Sequence, residues 1–449
     1  MRIKKILLPL IAVLLFFSPA QALELNVTRK VLPNGLVLLH SERKNIPVVK
    51  VSMIVKAGPL DEPPEKAGLA NLTAELLNEG TKTRTSEEIS SGIEFLGASV
   101  GASADEDFTK LGLSVLKKDM DKGFEIFSDI LLNPVFPERE VARVKKNIKD
   151  ALTQQEEDPS FVAERAFREA LYNGHPYGRL VSGSTRTIDA ITRDDLVNFH
   201  SAYYVPGNAI LAVVGDISEE ELGAVMDKYF KTWAAKPVPE RKIKEPEKSG
   251  KKEVVLIDRE LTQASILFGN LGIRRDDPDY YAVSVMNYIL GGGGFASRLM
   301  GEIRDKMGLA YDVHSFFTTN KEKGRFQVGV QTKNESAPKV IDIVRAEIEN
   351  IMGTPVGPDE LSDAKAYLTG SFPRRMDTMS KIADLLSAVE FFGLGLDYIR
   401  KYPDYINAVT AEDVLRVAKK YLPAKNYTLV VVGKQSRTGL REDPGNKEQ

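Results

Sequence analysis

Cysteine is absent from this 449-residue chain and histidine is scarce, which narrows the chemistry it can perform. Without cysteine there is no disulfide, thiol nucleophile or zinc ribbon. The four histidines, His40, His175, His200 and His314, stand more than ten residues apart, whereas a zinc enzyme gathers two or three imidazoles on one ion. Two segments carry the remaining chemical promise. In LGGGGFASRLMGEIRDKMGLAYDVHSFF, residues 290–317, Arg304 and Tyr311 are seven positions apart. A guanidinium offers several fixed donors and a phenol one more, a set that stabilises a developing oxyanion when aimed at it. From residue types alone, the plainer reading is an exposed helix arginine and a tyrosine in a sheet. In KAGPLDEPPEKAGLANLTAELLNEGTKTRT, residues 56–85, Asn71 and Glu75 lie four apart, on one face of any helix formed there.

The elements that must position these side chains can be read from periodicity and punctuation. Residues 300–306 read as a helix, Gly308 can cap it, and 310–316 read as a strand, so Arg304 and Tyr311 can converge from a helix and the strand that follows. The stretches 68–77 and 86–96 read as helices, with Ser86 a candidate N-cap. Before them, 27–32 and 36–40 flank Pro33-Asn34-Gly35 as a hairpin, and 48–55 is an apolar run rich in β-branched residues. A strand pair spans 100–104 and 108–116, charged amphipathic helices follow at 138–156 and 160–172, then a strand at 208–214 and a helix at 218–230. The run from Gly291 to Gly294 lacks the lysine and Ser/Thr of a phosphate loop, so it predicts a flexible turn and not a nucleotide site. His175 reads as part of a structural turn, and Trp233 and the Tyr203-Tyr204 pair read as core or interface residues.

The chain repeats itself. ITRDDLVNFHSAYYVPGNAILAVVGD begins at Ile191 and VTAEDVLRVAKKYLPAKNYTLVVVGK at Val409. At a constant offset of 218, Thr192 falls on Thr410, Asp195 on Asp413, Asn208 on Asn426 and Gly215 on Gly433. Each copy reads as a capped helix, a turn and a buried strand ending in glycine. Two homologous halves follow. They flank KPVPERKIKEPEKSGKK, residues 236–252, which has too few apolar residues to bury and predicts an extended linker. The boundaries are then 23–235, 253–434 and a disordered tail at 435–449. Composition is that of a soluble globular protein, 43% hydrophobic and 28% charged. A net charge of −2 excludes a large basic surface, and with it nucleic acid as a main partner. At the N-terminus, Arg2, Lys4 and Lys5 precede an apolar run at 6–17 and then Ala20-Gln21-Ala22, the pattern of a signal peptide cleaved after Ala22. The expectation is an exported, periplasmic protein with no transmembrane segment once residues 1–22 are removed.

Residues 56–85 resemble the signature region of the pitrilysin/insulinase metallopeptidase family, which includes the mitochondrial processing peptidase. That family carries H-x-x-E-H on a helix between GLA and a GT-containing turn. Both imidazoles reach one zinc there, and the Glu polarises the metal-bound water. Carried onto this chain, the first His position is Asn71, the Glu position Ala74 and the second His position Glu75. The family's third ligand falls at about Ala151, beside Asp150 and ahead of Glu157-Asp158-Pro159. An amide oxygen is a weak zinc ligand and Ala74 cannot accept a proton, so the resemblance implies no metal and no cofactor on this chain. Residues 290–317 resemble the family's other functional element. This implies that Arg304 and Tyr311 contact the substrate backbone and the oxygen that turns negative in the tetrahedral intermediate.

The resemblance covers about residues 25–432 and implies an α+β fold: two halves, each a mostly antiparallel sheet with helices packed on one side. Some bacterial members of the processing-peptidase-like branch are built as two chains, one with H-x-x-E-H and one that lacks it and supplies Arg and Tyr. The expectation is the second kind: a zinc-deficient subunit, inactive alone, that serves a homologous zinc-bearing partner in hydrolysing peptides or unfolded segments. The alternative is a catalytically inactive structural or peptide-binding homologue, like the core subunits of respiratory complexes. The presence of both Arg304 and Tyr311 argues against it.

Overall fold

The computed structural model describes residues 25–241, 243–247, 250–423 and 425–441, so the expected signal peptide lies outside the described residues. The apolar runs of the first half become strands β1 (Thr28–Val31), β2 (Val37–Glu42), β3 (Val48–Val55), β4 (Ser99–Ala104), β5 (Thr109–Leu116) and β6 (Ala209–Gly215). They form one sheet in the order β1-β2-β6-β3-β5-β4. The second half supplies β7 (Glu253–Asp258), β8 (Gln263–Leu271), β9 (Ile273–Arg274), β10 (Ala310–Phe317), β11 (Thr319–Asn320), β12 (Arg325–Lys333) and β13 (Thr428–Gly433). Five of these form a sheet in the order β10-β12-β8-β13-β7, and β9 pairs with β11 in a small ribbon. In the first sheet β2 lies parallel to β6, in the second β7 lies parallel to β13, and the other neighbours in both are antiparallel. The two halves therefore share one wiring, with β1 added to the first.

The repeat read from sequence is this shared wiring. Thr192 and Thr410 each cap a helix, Arg193–Tyr203 and Ala411–Tyr421, through the same reciprocal box with Asp195 and Asp413. The glycine ending β6 is demanded by space: a Cβ on Gly215, whose φ is +148°, would sit 2.2 Å from the Val48 carbonyl oxygen. A second register holds nearer the candidate sites. Helix Leu69–Leu76 corresponds to helix Tyr280–Asn287, and the left-handed turn at Gly97 (φ +57°) to that at Gly308 (φ +59°), both at an offset of 211.

Each sheet packs the helices of its own half on one face. Its other face is covered by a helix from the opposite half. Pro159–Tyr172 places Val162, Ala163 and Phe167 against Leu267, Val430 and Val432 of the second sheet. Met379–Phe392 places Ile382, Leu386 and Val389 in the core that holds Ile54, Ile210, Ala212 and Val214 of the first. The continuous apolar run of β6 follows: Leu211 and Val213 enter one core, Ile210, Ala212 and Val214 the other. Each fully buried aliphatic side chain of this kind contributes ~1.5–3 kcal/mol, so the exchange binds the halves into one folding unit.

Two local expectations need correction. The helix Ser86–Phe95 is capped by Thr85, not Ser86, because Thr85 exchanges hydrogen bonds with Glu88 at the third helical position. The tail expected to be disordered from 435 opens instead with a short helix, Gln435–Thr438. The Gln435 side-chain amide donates to the carbonyls of Ile257 and Val431, both at 3.1 Å, and so ties a polar segment to the end of the sheet. The described residues of the linker form neither helix nor strand, and Arg241 anchors them through two bonds to Asp61, at 2.9 and 2.6 Å. Among the described residues, no helix is long and apolar enough to cross a membrane.

Candidate functional site

The helix Leu69–Leu76, which carries the zinc-ligand positions of the resemblance, is held at its start by Gly68 (φ +98°) and by buried Glu62. The two Glu62 oxygens accept from the Gly68 and Ala70 amides at 3.1 and 2.9 Å. Burial nevertheless pushes the Glu62 carboxyl up to about 7, against these two bonds. Asn71 and Glu75 do share a face, and the Asn71 amide donates to Glu75 Oε1 at 2.8 Å. Glu75 is open to solvent, yet the protein around it raises its carboxyl above the usual range, opposed by that same bond. Ala74 is fully buried. Asp150 is exposed and pairs with Lys146 at 2.5 Å, and Ala151 beside it offers no donor.

These residues do not fit a zinc ion. The polar groups at 71 and 75 satisfy each other, and 74 and 151 are alanines. Among the described residues, no group of three or more His, Asp or Glu side chains could hold a metal. Each histidine has a local task. His40 bonds the Ile217 carbonyl at 2.9 Å, His200 that of Leu131 at 2.8 Å, and His314 the Asp312 carboxylate at 2.8 Å. His175 accepts from the Tyr177 amide at 3.1 Å and so caps the turn Pro176–Gly178. Burial lowers both His175 and His200 to about 4, which leaves them neutral at pH 7. Trp233 is buried and donates to the Tyr204 carbonyl at 3.0 Å, a core role. At the corresponding places of the second half stand Ala282, Val285 and Met286, all buried and apolar.

The structure brings Arg304 and Tyr311 together. Arg304 rides a π-helical turn, Gly301–Lys306, and Gly308 closes it by donating to the Arg304 carbonyl at 3.0 Å. Tyr311 stands at the start of β10, an edge strand. The pairing of β10 with β12 slips between Ala310 and Val313, a β-bulge that the matching pair β4 and β5 lacks. A bulge re-aims a side chain, and Tyr311 is 84% exposed. The Arg304 guanidinium lies over its ring, 4.8 Å from the centroid. Neither the guanidinium nor the phenol has a hydrogen-bond or ion-pair partner among the described residues, so their donors are free for a ligand.

Sequence reasoning missed a third member. Phe295, 69% exposed, lies under the same guanidinium at 4.5 Å. It follows the glycine run, which is not the flexible turn expected. A Cβ on Gly291 would lie 2.5 Å from Ser315 Oγ on β10, one on Gly292 2.5 Å from the Asn287 amide, and one on Gly293 2.8 Å from the Tyr288 carbonyl. The glycines are there because the backbone passes too close to β10 and the preceding helix for any side chain. The sequence signal was the placement of an aromatic directly after such a run.

The comparisons with known proteins agree with this anatomy. The insulinase (peptidase family M16) model matches residues 37–185, and the peptidase M16 inactive-domain model matches 190–368. An uncharacterized zinc protease of Streptomyces coelicolor is 26% identical over 414 residues, 91% of this chain and 90% of that protein. One from Mycobacterium leprae is 27% identical over 413 residues, 91% and 92% of the two chains. The crystal structure of a peptidase M16 inactive domain from Pseudomonas fluorescens superposes with a TM-score of 0.86 at 31% identity, over 94% of this chain and all of that one. A protease structure from Helicobacter pylori, 22% identical, shares the fold with a TM-score of 0.85 over 91% of this chain and all of that one. With both domain models matched in order and a solved relative aligned along nearly its whole length, the chain belongs to the insulinase family of peptidases, M16, as a member without a recognisable zinc site.

Proposed function

We propose that this protein is the non-zinc subunit of an exported two-chain peptidase, in which a homologous H-x-x-E-H partner holds the metal and this chain presents Arg304 and Tyr311 to the peptide. The observation that carries the reading is the pairing of free donors with a silent metal helix. Arg304 and Tyr311 meet at 4.8 Å with no acceptor of their own, while Asn71 and Glu75 bond each other. This chain's share of catalysis is then positional and electrostatic. The guanidinium and phenol donate to the substrate backbone and to the oxygen on which charge develops, and water activation falls to the partner. The basic start, apolar run and Ala20-Gln21-Ala22 site support export to the periplasm.

The test is co-purification of the mature chain with an H-x-x-E-H chain from the same source, followed by peptide hydrolysis by the mixture and by each chain alone. Activity is expected only in the mixture. Arg304→Ala is expected to lower kcat by about 10²–10³ while leaving co-elution intact, the effect of removing one oxyanion donor. Unchanged turnover in that variant sinks the assigned role.

A further inference from the structure

The glycine run, Phe295 and the exposed edge of β10 form a mounting that the Arg304–Tyr311 pair alone does not require. We propose that Phe295 is a positioning and specificity residue: it orients the Arg304 guanidinium and selects a peptide that carries a hydrophobic side chain beside the bond presented to that arginine. The inference rests on the reading of Arg304 as a substrate-binding donor.

The mounting is rigid on both sides. Gly291, Gly292 and Gly293 are pressed against Ser315, Asn287 and Tyr288, at distances that exclude any Cβ. Gly294 turns in the left-handed region at φ +57°. Directly after Phe295, the buried Ser297 donates to the Gly294 carbonyl at 2.7 Å, and Arg298 forms two bonds with Glu360 at 2.8 and 2.7 Å. Phe295 is thus held out from a fixed turn and does not sample solvent on a loose loop. Its ring buries little of itself, so it adds little to the core. What it touches is Arg304, whose Cζ lies 4.5 Å from its centroid, closer than the 4.8 Å to Tyr311. Two rings against one guanidinium restrict its rotation, and its N–H donors have no partner among the described residues. Met307, 48% exposed, ends the same helical turn, so three large apolar side chains lie open within residues 295–311. A peptide whose backbone reaches the Arg304 donors lays its neighbouring side chain over this surface, where an apolar group gains by leaving water and a carboxylate or hydroxyl does not.

The experiment uses the mature chain and two fluorescent peptide sets that differ at one position, Leu or Phe against Ser or Asp. Anisotropy titration is expected to show the apolar set binding roughly tenfold more tightly. Phe295→Ala is expected to erase that ratio, weakening the apolar set most and the Ser set to a smaller degree through the freed Arg304, and Phe295→Tyr to restore both. On the same samples, the Arg304 Nε–H resonance is expected to move in Phe295→Ala, which removes one of its two ring-current sources, and to stay near its wild-type position in Phe295→Tyr. Equal binding of the two sets by the wild type, a preference that survives Phe295→Ala, no peptide binding at all, or an unmoved Arg304 resonance each overturns the inference. So does loss of co-elution with the zinc chain in Phe295→Ala, which places the ring in an interface. The peptidase-subunit reading fails separately, through unchanged hydrolysis in Arg304→Ala.

Discussion

Asp107, at the tip of the β4–β5 hairpin, joins the two halves, and its ionisation should be visible in stability. It is 3% exposed and accepts from the Tyr177 hydroxyl of the first half and, at 2.9 Å, from the Lys321 amide of the second. Burial raises its carboxyl from 3.8 to about 6 in spite of those bonds, with Glu106 pushing the same way and Arg241 opposing. The folded chain therefore holds this proton more tightly than the unfolded chain. The stability it contributes is fully present below pH 3.8 and is lost as pH rises through about 6, a change of about 3 kcal/mol. Asp107→Asn keeps one acceptor oxygen and cannot ionise. Its amide replaces the other oxygen and carries a pH-independent cost of ~1–3 kcal/mol. The variant should thus gain about 3 kcal/mol on the wild type as pH climbs through that window. His175 and His200, lowered to about 4, work with the opposite sign: their stability is lost as pH falls below 6.5. Both chains contain them, so they cancel in the difference. The assay is urea unfolding followed by Trp233, the single tryptophan and a buried one. A difference that stays flat across the window would show that Asp107 is already ionised when folded, and the desolvation argument would fall.

Two further outcomes follow from the geometry. The 2.8 Å contact between the side chains at 71 and 75 shows that imidazoles there would reach a common ion, so combining Asn71→His, Ala74→Glu, Glu75→His and Ala151→Glu should create stoichiometric zinc binding absent from the wild type. Because position 74 is fully buried, that variant without metal should be several kcal/mol less stable, with zinc restoring the loss; metal analysis and melting with and without zinc check both. The exchanged helices should carry the union of the halves: Phe167→Ala, in the helix lent to the second sheet, and Phe391→Ala, in the helix lent to the first, should each cost ~3–5 kcal/mol. In each, unfolding should remain a single transition by Trp233 fluorescence and by circular dichroism, and a half that melts separately would count against the shared core.

Much of this architecture was legible because local signals agree with the fold. The run 48–55 forms a strand with those very bounds, and the capped helices at Thr192 and Thr410 and the strands behind them appear in both halves. The helix-glycine-strand reading around Arg304 also holds, with the helix tightened into a π turn. What stayed hidden depends on partners distant in the chain. Nothing local in 160–172 says that it covers the sheet of the other half, since an amphipathic stripe does not name the surface it meets. The glycine run looked mobile because glycine is permissive in isolation, and only the approach of Ser315, Asn287 and Tyr288 shows it is confined. Phe295 could not be paired with Arg304 for the same reason.

The internal repeat lets one half serve as a control for the other. At the offset of 211, the silent ligand helix of the first half matches a helix whose equivalent positions are core residues, so neither of these two helices presents a set of metal ligands. The edge strands differ in the opposite sense. The pairing of β4 with β5 runs unbroken from Ser99 to Ala104, whereas that of β10 with β12 is bulged beside an exposed tyrosine that lies against the half-buried Arg304. A bulge forfeits ladder hydrogen bonds, and exposed aromatic rings return little burial energy. A chain that needed only a scaffold would gain nothing from breaking its own symmetry there. The asymmetry makes physical sense if the second half has something to hold. On the proposed reading, that is an acceptor on the substrate, met by the guanidinium and phenol that have no partner of their own among the described residues.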